Sequence, residues 1–231
     1  MNSPLGLVLL LFVGPSVSDR DMNATLSEWL WETTLNTRME ALNSSLVTGV
    51  KDGYLDPVAF GVYYLQDVLY MFDSADAFDI AAIRTNDAFI QDFLKEKAIS
   101  SRSYGESLFE QLPIRDLFGI KLGPQFGGYA NHLLTVSLDE AAIYSVLAII
   151  PCRRLWPWIG GKINETSHNY GAYTKWVGEN FDPSYDGYKN YEAIVDEGFN
   201  RGLINKNTAL KIYSTSMNYE VACFNLVNMR V

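Results

Sequence analysis

Apolar positions recur at three- and four-residue spacing along most of the chain, which is the period of an amphipathic helix. The pair Asp56-Pro57, a capping residue followed by proline, predicts the start of one such helix. Another is predicted from Asn86-Asp87, and the polar segment 100–105 beyond it is predicted to be a loop. We find no repeat, no low-complexity segment and no alternating strand pattern of useful length. The pattern therefore predicts an all-α, single-domain bundle of roughly seven or eight helices.

A long apolar run opens near the segment 137–140, which has the sequence of a capping box, and it meets Pro151 and Cys152. One continuous helix is predicted from there to Gly160, where two glycines end it. Proline inside a helix removes a backbone hydrogen bond and kinks the helix, so the sequence places a cysteine at a predicted kink. The pair Asp182-Pro183 predicts the start of a further helix.

Two of the predicted helical stripes are each interrupted by one carboxylate, Asp67 in the first and Glu220 in the last. A buried carboxylate is costly unless it is paired or hydrogen-bonded, and burial raises its pKa. With the thiol of Cys152, the two carboxylates form a candidate site that holds a nucleophile and an acid. The alternatives are that Asp67 only ties two helices together and that Cys152 is a core residue. The stripes are Phe60, Tyr63, Tyr64, Asp67, Tyr70 and Met71, and Leu210, Tyr213, Met217, Glu220 and Phe224.

The N-terminal segment has the features of a secretory signal peptide. Residues 5–13 are apolar but too few to span a bilayer, and the small residues 16–18 suit a signal peptidase. We therefore divide the chain into a signal peptide, 1–18, and one helical domain, 19–231. Sequons for N-glycosylation at Asn23, Asn43 and Asn164 agree with secretion. No later segment is predicted to cross a membrane.

The net charge of −9 disfavours nucleic-acid binding, which needs a basic face. The two histidines, His132 and His168, lack metal-ligand spacing, and no dinucleotide fingerprint or phosphate-binding loop is present, so no metal or cofactor is expected. His132 is the only reasonable base for a cysteine-protease pairing, and spacing alone gives it no orienting partner. With 14 Tyr, 12 Phe and 5 Trp, the chain can line a pocket for a flat small-molecule substrate.

Five short motifs, each weak alone, follow one another along the chain: Tyr63-Tyr64-Leu65-Gln66-Asp67-x-x-Tyr70, Tyr129-x-x-His132, Ile150-Pro151-Cys152 with Gly160, Tyr173-x-x-Trp176-Val177-Gly178, and Tyr219-Glu220. Their order and spacing resemble those of the TenA/thiaminase II family. Members of that family are all-helical and have the heme-oxygenase-like fold. The resemblance runs along nearly the whole chain after the signal segment.

The resemblance implies pyrimidine chemistry on thiamin or an aminopyrimidine derived from it. Cys152 would be the nucleophile that adds to the aminopyrimidine ring, and Glu220 would be the acid that protonates a ring nitrogen. Asp67 would hold the amino group of the ring, while Tyr70 and Tyr129 would pack on it or orient it. Water, or an organic amine as acceptor, would then release the covalent intermediate.

Three positions depart from the family pattern. Trp156 and Asn180 stand where tyrosines are expected, and Cys223 stands where a phenylalanine is expected. Trp156 keeps an aromatic wall for the substrate but lacks the hydroxyl. Cys223 follows Glu220 by three residues and could share the pocket, so in an oxidising compartment a disulfide to Cys152 would block the nucleophile. Two free thiols are the alternative.

Secretion is a further departure, because members of the family that salvage thiamin are generally intracellular. A secreted member would meet extracellular thiamin and would favour base exchange with an organic nucleophile, the thiaminase I type of reaction. The leading interpretation is therefore a secreted thiaminase. The alternatives are a secreted protein that binds thiamin or a pyrimidine without turnover, and a heme-oxygenase-like scaffold with an unrelated small ligand. Relatives are often tetramers, glycans at the sequons would block such faces, and the oligomeric state stays open.

Overall fold

The computed structural model describes residues 24–166 and 168–228, and within them all the regular structure is helical. This confirms the all-α prediction. The signal-peptide prediction and Asn23 lie outside the described residues, and secretion stays a prediction. Asn43 and Asn164 are both exposed. The α-helices are α1 (Leu26–Thr33), α2 (Leu35–Leu42), α3 (Ser45–Lys51), α4 (Pro57–Ile83), α5 (Ala88–Phe109), α6 (Pro124–Asp139), α7 (Ile143–Ala148), α8 (Ile150–Ile163), α9 (Thr174–Asn180), α10 (Tyr188–Asn200) and α11 (Lys206–Phe224); short 3₁₀ turns span Gly171–Tyr173 and Leu226–Asn228.

Helix α4 packs against α5 and α6, and its start is the one that the sequence predicts. The carboxylate of Asp56 accepts hydrogen bonds from the backbone N–H groups of Val58 (2.8 Å) and Ala59 (3.1 Å). Pro57 occupies the first turn, where its missing N–H costs no hydrogen bond. The predicted stripe, from Tyr63 to Met71, faces the interior.

The loop predicted at 100–105 is wrong, because α5 continues through this segment to Phe109. Its inward-facing residues, Ser101 and Gly105, are small and buried, while polar residues cover the outer side. At Gly105, α5 lies so close to α4 that a Cβ on this residue would be 3.1 Å from the Cβ of Met71. Small residues at a helix contact look like a polar loop in the sequence, and this similarity misled the prediction.

Pro151 does not kink a helix, contrary to the prediction. The chain breaks at Ile149, between α7 and α8, and Pro151 falls in the first turn of α8, where proline is tolerated. The predicted capping box at 137–140 does not form either, since the Ser137 hydroxyl donates to the Leu133 carbonyl (2.8 Å) inside α6. Cys152 therefore lies in the first turn of a helix and not at a kink.

Two predicted helix boundaries also move. Helix α8 continues past Gly160 and its neighbour to Ile163. No helix starts at Asp182, because its carboxylate accepts hydrogen bonds from the backbone N–H (2.9 Å) and the hydroxyl (2.7 Å) of Ser184 and so forms a local turn. Helix α10 begins only at Tyr188. Among the helices described, none is both long enough and apolar enough to cross a membrane.

Candidate active site

Four helices that are distant in sequence bring all the predicted site residues to the interior. Helix α4 carries Asp67 and Tyr70 four and seven residues after Tyr63, on the face that the stripe predicts. Helix α8 carries Cys152 and Trp156 one turn apart, so both side chains point the same way. The complete set is Asp67 and Tyr70 from α4, Tyr129 from α6, Cys152 and Trp156 from α8, and Glu220 from α11.

These residues line two adjoining cavities of very different size. An outer cavity has a volume of about 390 Å³, and an inner recess behind it has about 10 Å³ of free space. Asp67, Cys152 and Trp156 line both, whereas Glu220 and Tyr129 line the recess alone. A ligand of pyrimidine size fits the outer cavity and would reach the recess only if side chains moved.

Glu220 is 4% exposed, and burial raises the pKa of its carboxyl to about 8. The hydroxyl of Tyr129 and the thiol of Cys152 act in the opposite direction, and Asp67 raises the pKa further. Its Oε1 atom is buried without a hydrogen-bond partner among the described residues. At neutral pH the group is therefore mainly a neutral acid with room for one more hydrogen bond, as proton donation to a ligand requires.

Asp67 has a pKa raised to about 7, because burial outweighs the opposing effect of the nearby Arg153 guanidinium. Its side chain keeps some exposure toward the outer cavity. Asp67 thus changes charge near neutral pH and can accept a hydrogen bond from an amino group.

Cys152 and Cys223 are both buried free thiols, so the disulfide considered from the sequence is not present. Burial, and next the Glu220 carboxyl in its ionised form, raise the pKa of the Cys152 thiol well above its usual range, while Arg153 lowers it. The resting thiol is therefore protonated, and attack on a ligand requires that its proton be accepted elsewhere.

Three tyrosines stack behind the thiol in the inner recess and its surroundings. The rings of Tyr70 and Tyr129 lie 4.8 Å apart at 29°, and those of Tyr129 and Tyr219 lie 5.6 Å apart at 12°. The hydroxyls of Tyr70 and Tyr129 are buried and lack hydrogen-bond partners of good geometry within the described residues. With Oε1 of Glu220, three polar atoms around the recess therefore keep hydrogen-bonding capacity with which they can stabilise a polar ligand.

The departures from the family pattern are all close to the site. Trp156 stacks on Phe181 at 4.9 Å and 26°, so the aromatic wall is fixed from behind. Asn180 lines the outer cavity, and its side-chain oxygen accepts a hydrogen bond from the Tyr104 hydroxyl (3.2 Å). Tyr104 of α5 therefore supplies a phenol beside the position where the pattern expects one. Cys223 lines the recess.

Sequence reasoning missed several residues of the outer cavity, among them Tyr104, Arg153 and Tyr185. Tyr104 was overlooked because its segment was predicted as a loop; its four-residue spacing from Ser100, which also lines the cavity, is the helical signal that could have found it. Arg153 follows Cys152 directly, and no pattern in the sequence marks it as a cavity residue.

His132 is not a base for Cys152, since its Nε2 hydrogen-bonds the Ser216 hydroxyl (3.1 Å). Within 24–166 and 168–228, no three His, Cys, Asp or Glu side chains are grouped so as to hold a metal ion.

The raised pKa of Glu220 makes stability depend on pH. The folded protein holds the proton up to a pH of about 8, whereas the unfolded chain releases it near its ordinary value of 4.5. Between these values the folded state binds more protons, so the free energy of unfolding falls as pH rises. The full shift corresponds to roughly 4–5 kcal/mol, and Asp67 adds an effect of the same sign.

We expect urea unfolding at a series of pH values to show this fall in the wild type and a clearly shallower one in Glu220→Gln. Glu179→Gln, which changes an exposed carboxylate, is the matched control and should follow the wild type. Equal slopes for wild type and Glu220→Gln would mean that the carboxyl is not buried in its protonated form.

The sequence matches no family model and no curated protein. Solved structures share its fold at low sequence identity. A TenA family transcription regulator from Silicibacter sp. has a TM-score of 0.73 and 15% identity, over 88% of this chain and 96% of that one. A TenA homologue from P. horikoshii has a TM-score of 0.72 and 15% identity, over 88% and 98%. A putative TenA-like thiaminase from Sulfolobus solfataricus has a TM-score of 0.66 and 18% identity, over 87% and 95%. The chain therefore has the all-α fold of TenA homologues.

Proposed function

We propose that this protein is a secreted relative of the TenA/thiaminase II proteins and cleaves thiamin, or an aminopyrimidine derived from it, through a covalent bond to Cys152. The observation that carries the proposal is the convergence of Cys152, Glu220 and Asp67 on adjoining cavities from three helices, with the pKa values of both carboxyl groups raised. Groups with shifted pKa values in a cleft are typical of catalytic sites. The proposal is also supported by the shared fold, because one of the solved structures with this fold is described as a putative TenA-like thiaminase.

In the proposed reaction, protonated Glu220 donates its proton to a ring nitrogen, and Asp67 accepts a hydrogen bond from the amino group. Sγ of Cys152 forms a bond to the activated ring carbon, and its proton passes to the Glu220 carboxylate. The bond to the thiazolium then breaks, and its electron pair leaves with the thiazole. Water or an amine adds to the methylene carbon that carried the thiazole. The bond between sulfur and the ring carbon then breaks, the thiol and the neutral ring are restored, and one proton is released overall.

The acceptor is tested by incubating the protein with thiamin, with and without an aromatic amine, and identifying the pyrimidine product by mass spectrometry. We expect thiazole release to be faster with the amine and the amine to be attached to the pyrimidine. If the pyrimidine alcohol were the sole product in both samples, water would be the acceptor. If thiamin stayed intact in both samples, the proposed activity would be wrong.

Binding without turnover is the second candidate, and the raised pKa of Cys152 favours it, since a protonated thiol is a poor nucleophile. The small free volume of the inner recess also favours it, because a ligand in the outer cavity would not reach Glu220. Calorimetry would then show stoichiometric binding of thiamin, while the same sample released no thiazole.

A further inference from the structure

Arg153 is a half-buried cation of the outer cavity that forms no ion pair with any other residue the structure describes. It follows Cys152 on α8 and lines the cavity on which Asp67 also lies. Its Nη2 donates a long hydrogen bond to the Ser101 hydroxyl (3.3 Å), and its Nε is buried without a hydrogen-bond partner. None of the ion pairs formed within residues 24–166 and 168–228 includes Arg153.

The next residue in the sequence shows what a compensated arginine looks like in this protein. Arg154 pairs with Glu28 (2.8 Å) and with Glu192 (2.7 Å) and lies over the ring of Trp31 (4.2 Å). A guanidinium that has lost part of its hydration without an ion pair is less stable than one paired in this way. The buried Nε of Arg153, which has no partner among the described residues, leaves a donor for a group that binds from outside the chain.

The carboxylates around the outer cavity do not neutralise Arg153. Asp67 lies beyond ion-pair distance, and its pKa of about 7 leaves it partly protonated at neutral pH. Glu179 and Asp182 are exposed; the first lies 3.7 Å from the ammonium group of Lys175, and the second accepts the hydrogen bonds of Ser184. Solvent screens both of these charges.

We propose that the outer cavity binds a pyrimidine ligand that carries an oxyanion, either a phosphate ester or a carboxylate, and that Arg153 binds that group. The planar guanidinium suits a carboxylate or phosphate, which can accept two parallel hydrogen bonds from it. A cavity of about 390 Å³ has room for a pyrimidine ring with such a substituent. The inference that the ligand contains a pyrimidine rests on the proposed function, whereas the inference that it carries an oxyanion rests on Arg153 alone.

Calorimetry with three ligands tests the proposal: 4-amino-5-hydroxymethyl-2-methylpyrimidine, its phosphate ester and the corresponding 5-carboxylate. We expect wild type to bind at least one anionic form about tenfold or more tightly than the alcohol, the effect of a charge-assisted hydrogen-bond pair. Comparing the phosphate with the carboxylate identifies which oxyanion is preferred. Arg153→Met should lose the preference, and Arg153→Lys, which keeps the charge without the fork, should keep part of it.

Arg115→Met is the matched control, since it removes the same charge from an exposed loop position and should keep the full preference. Thermal unfolding of each variant verifies that it is folded. The proposal is overturned if wild type binds the alcohol as tightly as both anions, or if Arg153→Met retains the preference.

A separate experiment distinguishes failure of the proposed function from failure of the anion site. If none of the pyrimidines bound, inorganic phosphate at constant ionic strength would test whether Arg153 binds an anion. A rise in the Tm of wild type that Arg153→Met lacks would support an anion site, and no rise in either would refute it.

Discussion

Replacing Cys152 by serine is expected to abolish thiamin cleavage while the fold stays intact. Serine is close to cysteine in size, and Cys152 is 8% exposed at the edge of the outer cavity, so the substitution disturbs packing little. Its hydroxyl is a far weaker nucleophile at neutral pH than a thiol, so the sulfur–carbon bond no longer forms. We expect kcat to fall by about 10³-fold or more, as when other enzymes lose their nucleophile.

The chain contains a matched control for this variant. Cys223 is the second buried free thiol and lines the same recess, but the proposed reaction does not use it. Thiazole release by Cys223→Ser should stay within a few-fold of wild type, while Cys152→Ser should still bind thiamin in calorimetry. If the two variants lost activity equally, or if Cys152→Ser stayed active, Cys152 would not be the nucleophile.

Replacing Gly160 by alanine is expected to destabilise the protein far more than the same change at Gly161, the other glycine of α8. A Cβ built there would lie 2.0 Å from the carbonyl oxygen of Phe181 and 2.6 Å from its carbonyl carbon. Backbone atoms cannot move aside as a flexible side chain can, so the segment after α9 has to shift. We expect a loss of about 3 kcal/mol, at the upper end of the usual cost of overpacking, and a Tm lower by roughly 6–12 °C.

Gly161→Ala is the control one residue further along α8, because its Cβ would meet nothing closer than the Pro183 Cβ at 4.0 Å. Alanine favours the helix there, so the free energy of unfolding should rise by about 0.5–1 kcal/mol. Urea unfolding of both variants checks the pair. Similar stabilities for the two would mean that the carbonyl of Phe181 does not lie against Gly160.

Gly160 also connects the fold to the candidate site. Phe181, whose carbonyl lies against this glycine, stacks on Trp156, which borders both cavities. A shift of Phe181 in Gly160→Ala should therefore weaken substrate binding as well as stability. The glycine of the Pro-Cys motif, predicted to end a helix, instead permits a close backbone contact inside one.

The sequence predicts those residues of the candidate site that interrupt an apolar helical stripe. Asp67 and Glu220 are conspicuous because each interrupts an apolar stripe, and the structure places both at the cavities with Cys152. Arg153 has no such signal, because an arginine at a helix surface and one in a cavity look the same in the sequence. Tyr104 was missed because the small residues near it, which allow close helix packing, were interpreted as a loop.

The sequence by itself determined the helical class, the starts of α4 and α5 and the identity of the thiol and the two carboxylates. These features depend on neighbours within one or two helical turns, such as the caps at Asp56 and Asp87. Only the tertiary structure decided that the chain breaks at Ile149, that α5 continues to Phe109, and that the outer cavity is large while the recess is nearly filled. It alone shows that Arg153 forms no ion pair within the part of the chain that the structure describes, because burial and partners depend on helices that are far apart in the sequence.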